Sequence, residues 1–181
     1  MRGMDLTDDE LDAFLAEQQM LYLATVSENG WPHVAPVGFA RLDDDSDRLY
    51  VLTHPSQRKS KNIFENNRVG VVLDEGDTYT SLRGAFMHGY AHVVTDEELY
   101  PKLERAWVDS FYDGEIPEVV KKVYAKRDGW IWFEIDPVHT VTWDNRKLDA
   151  SRLEDERAPI GMPFRYRLPD DLGAAEPRDE D

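Results

Sequence analysis

The sequence predicts a mainly β, α+β fold: a small six-stranded antiparallel barrel with helical additions. Two observations lead there. About six short segments carry strand character with turn signals joining most of them, and helical patterns are inserted among them without any internal repeat.

The elements follow in order. Thr7-Asp8-Asp9-Glu10 has the Ser/Thr-x-x-Glu form of a capping box, and Leu11, Phe14 and Leu15 add an apolar stripe, predicting a helix over about 8–18. The period then falls to two. Met20 to Val26 reads as a strand, Glu28-Asn29-Gly30 as a hairpin turn, and Trp31 to Phe39 as the return strand. Pro32 and Pro36 cannot donate to a ladder, so this return strand must be an edge, or be interrupted where something else meets its backbone. Asp43-Asp44-Asp45-Ser46-Asp47 is a polar turn before a third strand, Arg48 to Thr53. After His54-Pro55 come a helix over about Ser56–Asn67 and a fourth strand, Arg68 to Leu73. Leu82 to Val94 is a long, glycine-punctuated fifth strand. Thr95-Asp96-Glu97-Glu98 reads as a second capping box, opening a helix through Leu99, Leu103, Trp107 and Phe111. Asp113-Gly114 breaks it, and Ile116, Val119, Val120, Val123 and Tyr124 mark another. Trp130–Ile135 and Thr140–Trp143 form a last strand, kinked at Pro137. Residues 1–143 are thus expected as one domain, and 144–181 as an extension ending in a mobile acidic tail. Six acids and one arginine fall between Asp170 and Asp181.

The chain has 181 residues, enough for one well-packed domain. Without a cysteine it has no disulfide, thiol nucleophile or thiolate metal site. No apolar run approaches the ~20 residues of a membrane span, and the opening residues lack a signal-peptide apolar stretch, so a cytoplasmic location is expected. Acidic residues number 37 and basic ones 21, for a net charge of −16. That balance opposes nucleic-acid binding and docking on anionic membranes. With 14 arginines but 7 lysines, it also points to a halophilic, high-salt cytoplasm.

Against this acidity, one positive cluster stands out. Between His54 and Gly70 lie Arg58, Lys59, Lys61 and Arg68 against Glu65 alone. Arg58 and Lys59 fall in the predicted first helical turn, where the macrodipole disfavours cations and favours anions. Two cations beside unpaired backbone N–H groups are destabilising until an anion occupies the place. Arg58 can grip a phosphate through two parallel bonds, Lys59 adds a point charge, and Thr53 can offer a hydroxyl. A solvated face paired with nearby carboxylates is the plainer alternative.

The run Leu49-Tyr50-Val51-Leu52-Thr53-His54-Pro55-Ser56-Gln57-Arg58-Lys59-Ser60-Lys61-Asn62-Ile63, with Asn66-Asn67-Arg68-Val69, resembles the phosphate-binding segment of the pyridoxamine 5′-phosphate oxidase-like superfamily of flavin-binding split β-barrels. The hairpin Ala24-Thr25-Val26 to Pro32–Val37 is similar to theirs, and the resemblance covers about 20–143. It implies a homodimer with flavin mononucleotide (FMN) at the subunit interface: phosphate on Thr53, Arg58 and Lys59, and the isoalloxazine along the main chain of Val34, Ala35, Pro36 and Val37. From the partner, Trp143 packs near the cofactor and Arg146 reaches the same anion, although Trp143 reads equally as core. Two departures count. Asn145-Arg146-Lys147 lacks the Arg-x-His pair that binds the vitamin B6 substrate, and Gly84 stands near the position of a flavin-directed glutamine.

Other constellations are weaker. His88 and His92 would suit a metal on a helix, but on a strand they are ~13 Å apart, so no metal site is expected. Ala85, Met87, Gly89, Ala91 and Val93 share the other face and are expected inside the barrel. His33 lies in the strand proposed to face the ring. The aspartates of 43–47 lack the pattern of a calcium loop. The leading expectation is an FMN-dependent oxidoreductase acting on a small organic molecule. The 8-hydroxy-5-deazaflavin coenzyme (coenzyme F-420) is the alternative cofactor, with Lys61, Arg83 and Arg146 widening the cationic groove. A non-catalytic flavin- or haem-binding module is a reading of another class, because no catalytic acid, base or nucleophile is visible.

Overall fold

The computed structural model describes residues 4–43, 46–112, 116–124 and 129–148. The expected acidic tail, the Asp113-Gly114 break and the middle of the Asp43–Asp47 turn lie outside them. Six strands, β1 (Met20–Val26), β2 (Pro32–Ala40), β3 (Leu49–Thr53), β4 (Arg68–Glu75), β5 (Arg83–Val93) and β6 (Ile131–Asp144), close into a barrel in the order β1-β2-β3-β6-β5-β4, antiparallel throughout. The helices are α1 (Asp8–Glu17), α2 (Arg58–Glu65), α3 (Tyr100–Tyr112) and α4 (Glu118–Tyr124). No helix among the described residues is long and apolar enough to cross a membrane.

The capping box at Thr7 forms in full: its hydroxyl accepts from the Glu10 N–H, while the Glu10 carboxylate accepts from the Thr7 N–H. α1 then seats Phe14 and Leu15, almost fully buried, in one end of the barrel. Inward residues of alternate strand positions fill the middle, among them Leu21, Leu23, Val51, Val71, Ala85, Met87, Phe133 and Ile135. A second cluster lies outside the barrel, where α3 covers Ala40, Tyr50 and Trp132 with Leu103.

Two expectations need correction, and a third is borne out. The second capping box does not form: Asp96, not Thr95, caps a 3-10 turn at Glu97–Leu99 that leads into α3. Val93 is not interior but more than a third exposed, since β5 continues beyond its last β4 partner at Tyr90 and keeps only β6 beside it. The last strand runs unbroken from Ile131 to Asp144, and its expected kink is a bulge beside Pro137, where Val138 is the extra residue. Register shifts between His88 and Gly89, and a Cβ on Gly89 would stand 2.0 Å from the Asp136 carbonyl oxygen, so only glycine lets the backbones approach there.

The two prolines have a structural reason. β2 pairs with β1 along Pro32–Gly38, but with β3 only at Phe39 and Ala40, leaving 32–38 as a free edge. The Ser27 N–H donates to the Trp31 carbonyl (2.9 Å), and the Phe39 N–H to the Gln19 carbonyl (3.4 Å). Those bonds set the odd-numbered residues of β2 facing β1. By alternation Pro32, Val34, Pro36 and Gly38 turn their main-chain groups to the open side, so the missing proline donors cost the β1 ladder nothing.

Candidate cofactor site

The site is built where β3 ends. From Thr53 the chain turns through His54–Gln57 into α2, whose N-cap Gln57 makes no capping side-chain bond and whose first turn holds Arg58 and Lys59 with no acid. Buried hydroxyls pin this turn. Ser60 Oγ donates to the His54 carbonyl (2.9 Å) and lies 3.3 Å from Thr53 Oγ1, which donates to Gln57 Oε1 (2.7 Å). Lys59 Nζ donates to the same Gln57 oxygen. That oxygen therefore takes two donors that an anion would also attract.

Further along α2, Asn62 Nδ2 donates to Thr25 Oγ1 (3.0 Å), and Thr25 Oγ1 donates in turn to the His33 carbonyl (3.4 Å). This buried polar line ties the cation-bearing helix to the free edge of β2. Thr53, Arg58, Lys59 and the edge thus belong to one end of the barrel. On that edge Val34 and Pro36 have main-chain groups to offer; those of Ala35 and Val37 are directed at β1.

The electrostatics are uneven. Arg58, Lys59, Lys61 and Arg68 make no ion pair with any described residue, whereas Arg41, Arg48, Arg83, Arg146 and Lys147 each hold a carboxylate. Lys59 is half-buried, and desolvation pulls its ammonium below the ordinary lysine range. A cation kept in that setting is one that an anion would relieve.

Trp143 and Arg146 lie elsewhere. Thr53 pairs with Ile131, at one end of β6, and Trp143 lies twelve residues on, roughly 40 Å of extended strand away. Within one chain these two residues do not join the Thr53–Arg58–Lys59 cluster. The Trp143 ring occupies the space above Gly84, where a Cβ would stand 2.3 Å from Cζ2. Gly84 is therefore the complement of that ring. Arg146 grips Asp144 through Nε (2.8 Å) and Nη2 (2.7 Å), and these bonds hold the Asp144 carboxyl below its ordinary range. Arg83, named for the wider groove, pairs with Glu17 and Glu75.

Gln57, Ser60, Asn62 and Thr25 escaped the sequence reading. Thr53 and Ser60 are separated by one strand end and one turn, but nothing in the spacing links Asn62 to Thr25. His33, on the same edge strand, keeps a buried Nδ1 without a hydrogen-bond partner among the described residues.

The family model described as pyridoxamine 5′-phosphate oxidase matches residues 7–142. No curated protein matches the chain. Solved structures share its fold. The conserved hypothetical protein Rv2991 of Mycobacterium tuberculosis is 23% identical with a TM-score of 0.71, the match covering 90% of this chain and 96% of that one. HutZ, the haem storage protein of Vibrio cholerae, is 19% identical with a TM-score of 0.60, over 76% of this chain and 96% of its own. A FAD-binding protein of Mesorhizobium loti is 20% identical with a TM-score of 0.57, over 77% and 96%.

Proposed function

This chain belongs to the pyridoxamine 5′-phosphate oxidase family, and from that premise we propose that it is an FMN-dependent oxidoreductase that works as a homodimer. The observation that carries the reading is the uncapped start of α2, where Arg58 and half-buried Lys59 meet no carboxylate among the described residues of a molecule of net charge −16. The residues present fit a phosphate monoester. Arg58 supplies paired N–H donors, Lys59 a charge, the helix its free N–H groups, and Thr53 a hydroxyl once Gln57 yields its place. The free edge of β2 fits a flat heterocycle, because Val34 and Pro36 present main-chain groups that no strand takes.

When bound, a flavin accepts and returns a hydride, and that chemistry is the cofactor's own. The chain's part is to hold the phosphate at one end of the barrel, orient the ring along β2, and exclude water from its face. The vitamin B6 substrate is not part of the reading, since the Arg-x-His pair is absent. FMN is favoured over the deazaflavin coenzyme by a specific observation: Arg83, a cation that would widen the groove for a longer anionic tail, is already neutralised by Glu17 and Glu75.

The outer face offers a surface for the second copy. Along one register row, Pro36, Tyr22, Val72, Phe86 and Val141 stand side by side across five strands, with Tyr22 and Val141 about half exposed. This apolar belt is continuous with the open edge of β2 and runs toward Trp143. Covering it with another copy buries it, and brings a second chain's Trp143 within range of the cofactor site.

Absorbance of protein purified from its source tests the cofactor. Oxidised-flavin bands bleached by a nicotinamide donor are the expected result. A single deazaflavin band or a Soret band would replace the assignment with coenzyme F-420 or haem. Sedimentation should give twice the chain mass, falling to the monomer with Tyr22→Glu; a monomeric wild-type chain would overturn the dimer.

A further inference from the structure

The antiparallel register places His88 of β5 opposite His139 of β6. Both are exposed on the outer face, and their ring centroids stand 5.1 Å apart. We infer that His88 and His139 form a two-imidazole chelate for one borderline divalent cation of the zinc, nickel or copper class, beside the proposed dimer belt but using none of the residues assigned to the phosphate.

The geometry supports this in three ways. Directly opposed residues on one face of an antiparallel pair bring their Cβ atoms to ~4.5–5.5 Å, so both side chains start from a fixed, short base and little rotamer freedom is lost on joining them. An imidazole at the ~2.0–2.1 Å of a Zn–N bond keeps its ring centre roughly 3.2 Å from the ion, and a tetrahedral angle then sets two ring centres about 5 Å apart. The observed separation of the ring centroids, 5.1 Å, matches that spacing. The ligand type matches too: neutral imidazole suits zinc, nickel and copper, while magnesium and calcium ask for oxygen. A chain of net charge −16 raises the local cation concentration around any such site.

Among the described residues no group of three or more histidines and carboxylates gathers around one point, so the pair offers two ligands and leaves the remaining positions to water. Such a site takes up and exchanges its ion readily. His92 lies further along the same outward face, opposite Glu134 with its ring near Tyr90, and is outside the pair.

Titration of nickel chloride and of zinc chloride into the full chain by calorimetry tests the inference, with magnesium chloride as control. The expected result is one ion per chain for nickel and zinc and none for magnesium. His88→Ala and His139→Ala should each weaken binding roughly tenfold or more, whereas His92→Ala should leave it unchanged. A second reading guards against misfolding: nickel should raise the thermal midpoint of the wild type but not of the His88→Ala/His139→Ala double variant, whose midpoint without metal should match the wild type. Nickel binding that survives both substitutions, or no binding by the wild type, would overturn the site. The flavin reading is tested separately, since Arg58→Ala/Lys59→Ala should bind nickel as the wild type does.

Discussion

The two ends of the barrel are closed by different chemistry. At one end α1 inserts Phe14 and Leu15, both almost fully buried, and every nearby described cation is neutralised: Arg83 by Glu17 and Glu75 while it lies over the Phe14 ring, Lys147 by Glu10, Arg41 by Asp12. At the other end α2 presses Ser60 and Asn62 as well as Ile63 onto the barrel, and its cations make no ion pair with a described residue. An apolar plug with satisfied charges is stable by itself. A polar cap with unsatisfied charges is stable only as far as its buried hydrogen bonds carry it, and it gains when an anion arrives. The difference separates the end that holds the fold from the end that holds the ligand.

The contrast can be broken from either side. The largest effect is expected for Arg58→Ala with Lys59→Ala: FMN affinity should fall by about 3–6 kcal/mol, taking ~1.5–3 for each charge-assisted bond, with the melting temperature of the free chain no lower. Unchanged affinity in a fluorescence titration would remove the phosphate assignment. Phe14→Ala should do the reverse, costing about 3–5 kcal/mol in chemical denaturation with the cofactor contacts of the folded fraction unaltered. Asn62→Ala should fall between. Losing the bond to Thr25 leaves a buried hydroxyl short of a donor, so stability should drop by about 1–3 kcal/mol and FMN affinity should drop with it. If stability falls but affinity does not, the buried line from α2 to β2 has no part in holding the site.

The smallest effect sharpens the comparison by its sign. Burial lowers the Lys59 ammonium, so the unfolded chain binds more protons at this group than the folded one, and the free chain should gain stability as pH rises toward the ordinary lysine range. Lys59→Met should therefore slightly stabilise the free chain and flatten that rise, yet weaken FMN binding. At the α1 end stability also rises with pH, but there the ionised groups stabilise the fold instead of being penalised by it. Bonds from Arg83 and Arg146 lower the Glu75 and Asp144 carboxyls, so their contribution is present above the ordinary carboxylate range and is lost as pH falls through the lowered values. Acid denaturation of Arg83→Met should begin at higher pH than that of the wild type.

Much of this was legible in the chain because it is local. A capping box at Thr7 needs four consecutive residues, a strand such as Met20–Val26 needs only alternation, and two prolines in β2 announce a free edge wherever the strand goes. The cation cluster after Thr53 could be read for the same reason. Bonds such as Asn62 to Thr25 could not, because residues 37 positions apart meet only once the barrel has closed. Arg146 was legible in principle, since Asp144 stands two residues before it, but the strand end had to be seen turning them together.

Sequence by itself determined which segments are strands and helices, which charges gather at the start of α2, and which strand would lack a neighbour; near-neighbour sterics and hydrogen bonds suffice for each. The tertiary structure alone decided which cations are neutralised, why position 84 must be glycine beneath the Trp143 ring, and that His88 meets His139. Those depend on register and closure, which the packing of the whole core selects and no short stretch of chain encodes.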